Sequence, residues 1–262
     1  MTHPLANRHA VICGSSQGIG RACAEELARL GATCTLLARN EASLKKVVAE
    51  LASGAGQRHD FRVADFADWK ALGAIAERIV TERGPVHLLI NNTGGPPAGP
   101  ASEAEPEAYL DAAQKHIACN QVLTRAFVPG MKDAGFGRIV NIISTSVITP
   151  IKGLGVSNTI RGAVANWGRT IAAELGPFGI TVNNVLPGFT HTGRLDTLIA
   201  GKAERGGIGE DEVQRQMLST VPVGRFGKPE ELGATVGFLC SPIAGYINGV
   251  NLPVDGGRLA AQ

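Results

Sequence analysis

Aromatic residues are scarce in this 262-residue chain. They make up 5% of it and include only two tyrosines, Tyr109 and Tyr246. Basic clusters are also missing: 25 Lys and Arg stand against 23 Asp and Glu, a net charge of +2 with no basic stripe, which argues against a nucleic-acid binder. No stretch approaches the roughly 18 apolar residues of a membrane-spanning helix, and residues 1–10 carry no apolar signal-peptide core, so no membrane association is expected. The five cysteines (Cys13, Cys23, Cys34, Cys119 and Cys240) are odd in number, without a CxxC pair or His at metal-ligand spacing. A disulfide framework and a bound metal are therefore not expected, and the thiols read as small buried hydrophobes of a reducing compartment, the cytoplasm.

What the chain does have is a large apolar fraction, 44%, and 34 glycines, nearly twice the usual share of about 7%. The glycines follow no three-residue period, so collagen is excluded. Short β-branched or Leu-rich runs at 9–13, 33–37, 58–63, 87–91, 138–143, 181–186 and 250–254 are apolar on both faces, as in a parallel sheet covered on both sides. Helical patterns lie between them at 19–30, 41–52, 67–83, 107–134, 154–175 and 229–239, with Gly31, Gly84, Gly135 and Gly176 as stop signals. This alternation predicts an α/β fold: one Rossmann-type, doubly wound domain over 1–262, with a seven-stranded parallel sheet and helices on both faces. Only the segment 190–220, polar and weakly helical, breaks the alternation. It reads as an insertion serving as a substrate lid.

After the first strand comes Gly14-Ser15-Ser16-Gln17-Gly18-Ile19-Gly20, opening a helix. Glycines let a pyrophosphate approach the backbone, and a helix N-terminus offers free N–H groups and partial positive charge. A tight strand–helix corner would look the same, but the position at the first βα unit favours a cofactor loop. Folds that bind NAD carry an acid at the end of the second strand for the ribose hydroxyls. This chain has Arg39-Asn40 there, and an Arg suits a 2′-phosphate, so NADP(H) is expected over NAD(H).

With these residues in place, the sequence resembles the short-chain dehydrogenase/reductase family along nearly its whole length. Cys13 to Gly20 looks like TGxxxGIG with Cys for Thr, and Asn91-Asn92-Thr93-Gly94 looks like NNAG. The resemblance places Asp65-Phe66 at the adenine, Asn92 and Gly94 along the cofactor, Asn120 at the catalytic Asn and Ser144 at the catalytic Ser. Asn183 through Pro187-Gly188, with Thr190 and Thr192, matches the segment beside the nicotinamide. The stretch 224–231 and the ending Val254-Asp255-Gly256-Gly257 are similar to the oxoacyl-carrier-protein-reductase branch.

The family's Tyr-x-x-x-Lys is where the likeness stops. Ser157 and Arg161 occupy those two positions, and neither tyrosine has a Lys four residues on. A phenol near pKa ~10 can be brought to working pH by a neighbouring cation, whereas a Ser hydroxyl is far less acidic and shorter. Arg161 can hold ribose hydroxyls but will not shuttle a proton. Candidate replacements are His191 beside the nicotinamide segment, His116 one turn before Asn120, the Ser144-Thr145-Ser146 run, and Lys152. Each is also readable as an ordinary solvated or packed residue.

The expected activity is an NADP(H)-dependent oxidoreductase acting on a small carbonyl or secondary alcohol, 3-oxoacyl-reductase-like, with a non-standard proton donor. The alternative is a cofactor-binding, non-catalytic family member acting as a sensor or partner subunit. The resemblance further implies a homotetramer or homodimer.

Overall fold

The β-strands are short, and each sends alternate apolar residues into two different cores. The computed structural model describes residues 3–261. In β1 (His9–Cys13), Ala10 and Ile12 enter one core while Val11 and Cys13 enter the other. The same two-sided burial recurs in β2 (Thr33–Ala38), β4 (Leu88–Asn91), β5 (Gly137–Ile142) and β6 (Ile180–Pro187). With β3 (Asp60–Val63) and β7 (Asn251–Val254) at the edges, they form one parallel seven-stranded sheet of order β3-β2-β1-β4-β5-β6-β7. One face is covered by α1 (Gly18–Arg29), α2 (Glu41–Glu50) and α9 (Pro229–Cys240), the other by α3 (Trp69–Arg83), α5 (Cys119–Asp133) and α6 (Gly155–Leu175). The expected doubly wound fold is therefore observed. Strand order reverses between β1 and β4, which opens the crevice where such folds bind ligands.

Some boundaries differ from expectation, each for a local reason. The strand expected over 58–63 is paired only from Asp60, because His59 Nδ1 accepts the Cys34 N–H instead. The helix expected from 67 starts at Trp69, since the Asp68 carboxylate caps it by accepting from the N–H groups of Lys70 and Ala71. Gly176 does not end the helical path: the backbone stays right-handed there and turns only at Gly179, with φ of 73°. The helix expected over 107–134 is three pieces, α4 (Pro106–Ala113), a π turn at Gln114–Ala118, and α5. Such π turns often mark functional positions, and this one carries His116, four residues before Asn120.

The segment 190–220 is more ordered than its polar composition suggests. It folds into α7 (Gly193–Gly206) and α8 (Glu210–Leu218), which bury Leu195, Ile199, Val213 and Met217 against one another beside Phe189 and Phe226.

A row of asparagines crosses the sheet interior. Asn91 Nδ2 donates to Asn141 Oδ1 (2.9 Å), Asn141 Nδ2 to Asn184 Oδ1 (2.9 Å), and Asn184 Nδ2 to Asn251 Oδ1 (2.8 Å). Register aligns all four on neighbouring strands. Burying an amide is costly unless it is paired, and here each Nδ2 donates to the next Oδ1, with Asn91 Oδ1 at the end of the row left without a partner among the described residues. Gly168 of α6 makes room: a Cβ there would lie 2.8 Å from both Asn141 Nδ2 and Asn184 Oδ1.

Candidate active site

The turn after β1 is shaped by steric necessity. Gly14 and Gly18 are left-handed, with φ of 59° and 57°. A Cβ on Gly14 would lie 2.5 Å from the Asn92 carbonyl oxygen, and one on Gly20 would collide with the Gly14 carbonyl. Asn92 Nδ2 ties the turn to β4 by donating to the carbonyls of Cys13 and Gly14, 3.2 Å each. Gln17, the N-cap of α1, makes no side-chain capping bond, so the first-turn N–H groups remain available to a ligand. Thr192 closes the far side, its methyl 3.2 Å from where a Gly18 Cβ would stand. Uncapped amides beside a bare, left-handed backbone fit a dinucleotide pyrophosphate.

Not every residue of the expected loop faces that space. Ser15 is fully buried and bonds through N and Oγ to the Leu37 carbonyl, so it anchors the turn to β2. Ile19 packs into the core, while Ser16 is half-buried and Gln17 exposed. Arg39 is exposed at the end of β2, and Asn40 Oδ1 caps α2 by accepting from Ser43 N (2.9 Å). After β3, Asp65 Oδ1 accepts from Ala67 N, and the Phe66 carbonyl accepts from Cys119 Sγ.

Over the ends of β4, β5 and β6 lie the remaining expected residues. Ser144 Oγ accepts from Ser146 N (3.0 Å), which leaves its hydroxyl hydrogen free to donate. Asn120 is buried at the junction of the π turn and α5. Gly188 lies against Asp255, where a Cβ would be 2.6 Å from the Asp255 Cα, and its N–H donates to the Val254 carbonyl. Pro187 is half-buried at the strand end. Thr190 is buried, its Oγ1 donating to Gly188 O, and Thr192 Oγ1 donates to Thr190 O. Gly94 is exposed, with open space around it.

Ser157 and Arg161 sit one turn apart on α6, so they share a face. Ser157 is half-buried. Arg161 is 8% exposed; its Nη1 donates to the Ile142 carbonyl (3.0 Å) and its Nη2 to the Thr93 carbonyl (3.3 Å). Burial, then the positive charge of Arg194, lowers its pKa to about 10, which still leaves it cationic at neutral pH.

The two histidine candidates separate. His116 is 3% exposed, hydrogen-bonded through Nδ1 to Thr93 Oγ1 (2.7 Å), and burial with the nearby Arg161 charge drives its pKa down to about 3. It is neutral at working pH, so it holds Thr93 and carries no proton to a substrate. His191 is exposed, its backbone N–H donating to the Gly227 carbonyl. Lys152 is exposed too.

Two participants were not anticipated. Thr93 links His116 to Arg161, and Arg194 of α7 reaches back to donate from Nη2 to the Pro96 carbonyl (3.0 Å). The sequence signal for Arg194 was only its offset of two from Thr192.

Among the described residues, no group of His, Cys, Asp and Glu could hold a metal ion, and no helix is long and apolar enough to cross a membrane.

This arrangement has relatives. The family model described as enoyl-(acyl carrier protein) reductase matches residues 14–258. The short-chain reductase NovJ of Streptomyces niveus is 34% identical over 95% of this chain and 93% of its own. The 3-oxoacyl-(acyl-carrier-protein) reductase FabG of Haemophilus influenzae is 32% identical over 97% and 98%. The structure of L-sorbose reductase from Gluconobacter frateurii, complexed with NADPH and L-sorbose, superposes with a TM-score of 0.91 at 30% identity, covering 99% of both chains. A match running from the phosphate turn to beyond β7 makes this chain a member of the short-chain dehydrogenase/reductase family of NAD(P)-dependent oxidoreductases.

Proposed function

We propose that the protein is an NADP(H)-dependent oxidoreductase interconverting a carbonyl and a secondary alcohol, 3-oxoacyl-reductase-like, without the usual Tyr as proton donor. The observation that carries this is the convergence of an uncapped, glycine-built phosphate turn with Ser144 and cationic Arg161 over the same strand ends. In this reading Gly14, Ser16, Gly18 and the α1 amides hold the pyrophosphate, and Thr190, Thr192, Pro187 and Gly188 flank the nicotinamide. Asp65, Phe66, Asn92 and Gly94 line the path between. Arg39 takes the 2′-phosphate, which supports NADP(H) over NAD(H). Bound NADPH supplies hydride; the protein supplies orientation and charge.

Ser144 donates its free hydroxyl hydrogen to the substrate oxygen, and Arg161 stabilises the negative charge that grows there. Asn120, buried at the start of α5, holds a water that delivers the proton. His191, exposed on the nicotinamide segment, is the competing acid. The helices α7 and α8 act as the substrate lid.

The absent Tyr and Lys favour a second reading, a cofactor-binding member without turnover. Incubation with NADPH and a panel of ketones, aldehydes and β-ketoacyl thioesters separates the two. Consumption of NADPH with matching alcohol supports the first, and tight binding without consumption across the panel supports the second. If His191→Ala retains full activity, His191 is not the acid.

Five buried, unpaired thiols support a reducing, cytoplasmic setting. Exposed Phe238 on α9, with Ile243 and Tyr246 just after it, supports a homotetramer or homodimer, which light scattering would measure.

A further inference from the structure

Arg161 is a buried cation with no ion-pair partner among the described residues. The two groups it bonds, the carbonyls of Ile142 and Thr93, are neutral; they orient the guanidinium without compensating it, and they engage two of its five N–H donors. The charge that, after burial, lowers its pKa is that of Arg194, of its own sign. Buried charges in proteins are ordinarily paired.

Arg194 heightens the imbalance. It belongs to the first turn of α7, yet its side chain crosses to the loop after β4 and bonds the Pro96 carbonyl. A point beside Gly95, where a Cβ would stand, is 3.4 Å from Arg194 Nη2 and 3.7 Å from Arg161 Nη2. Because Gly95 has no side chain, both forks stay open toward the same space. Arg161 faces it from within, and Arg194 is exposed at the rim. Ser144 follows Ile142, one of Arg161's partners, by two residues, so the space borders the site of the proposed chemistry.

We propose that Arg161 and Arg194 form a carboxylate-binding pair, and that the substrate is a carbonyl compound carrying a carboxylate. A carboxylate presents two oxygens in a plane, matching guanidinium forks in a way a lysine could not exploit. It would supply the missing counter-charge to Arg161 and draw Arg194, and with it α7, over the strand ends. The word substrate rests on the oxidoreductase reading; the anion pair itself does not.

The test is calorimetric and needs no turnover. The whole protein, alone and saturated with NADP+, is titrated with acetoacetate, 4-oxopentanoate and 2-oxobutanoate, each against its methyl ester. The expected result is at least one acid binding roughly tenfold or more tighter than its ester, the factor expected of one charge-assisted contact. Arg194→Gln should bring that ratio close to one. Equal affinities for every acid and ester, or no binding by any acid, overturn the proposal. So does Arg194→Gln weakening NADP+ while leaving the acid-to-ester ratio intact, since the pair would then serve the pyrophosphate. Acid binding without any NADP+ binding would instead sink the oxidoreductase reading and leave the anion pair standing.

Discussion

Arg161 is the buried cation of the candidate active site. Its cationic state at neutral pH follows from a pKa lowered to about 10, not further, so it can stabilise developing negative charge throughout the working range. In the proposed mechanism the burden of hydrogen bonding falls on Ser144, whose Oγ accepts from Ser146 N. Ser144→Ala should lower kcat by about a hundredfold or more with a smaller change in KM, as steady-state kinetics would register. At the other end of the site, Arg39 stands exposed where a carboxylate would repel a phosphate. Arg39→Glu should weaken NADPH about tenfold or more relative to NADH in fluorescence titrations; an unchanged ratio would remove Arg39 from cofactor choice. Gly18→Val, forced to φ near 57° and pushed against Thr192, should abolish binding of both cofactors.

Among the elements, the asparagine ladder is the least expected feature. Asn141→Leu removes the middle rung and leaves Asn91 Nδ2 and Asn184 Oδ1 without their partners, at a cost of about 2–4 kcal/mol in urea denaturation. Gly168→Ala, placing a methyl 2.8 Å from both amides, should destabilise as well. Asparagine is depleted in strands, so composition gave no warning; the ladder exists only because parallel register aligns residues far apart in sequence. The strands themselves were legible, since runs such as 9–13 and 138–143 are apolar on both faces. The π turn was not, because its residues Gln114–Ala118 continue the helical pattern unbroken. The phosphate turn was legible from its glycines and its place after the first strand, and Ser144 and the Ser157–Arg161 pair from the family resemblance. Arg194 was not, because an Arg in the first turn of a polar helix looks like any solvated residue until the fold brings it beside Gly95.

For the molecule as a whole, two buried histidines tie stability to pH. His9 Nε2 donates to Thr35 Oγ1, which donates to Asp60, and burial lowers the His9 pKa to about 4. His116 falls further, to about 3. Both are neutral when folded, whereas the unfolded chain takes up protons near pH 6.5. Their contribution is therefore complete above about pH 6.5 and is lost as pH falls toward 4 and 3, by the order of 3 kcal/mol for His9. The urea midpoint should drop across that window, and His9→Gln should flatten the slope. Under the proposed function, the fold, the phosphate turn and the cationic strand ends belong to a reductase that keeps its cofactor chemistry and uses a different acid. The most direct measurement of that claim is NADPH consumption, followed by absorbance and matched to alcohol product, over the panel of ketones, aldehydes, β-ketoacyl thioesters and oxo acids. Stoichiometric turnover that falls sharply in Ser144→Ala is the predicted result. Tight NADPH binding with no consumption by any member of the panel would contradict it.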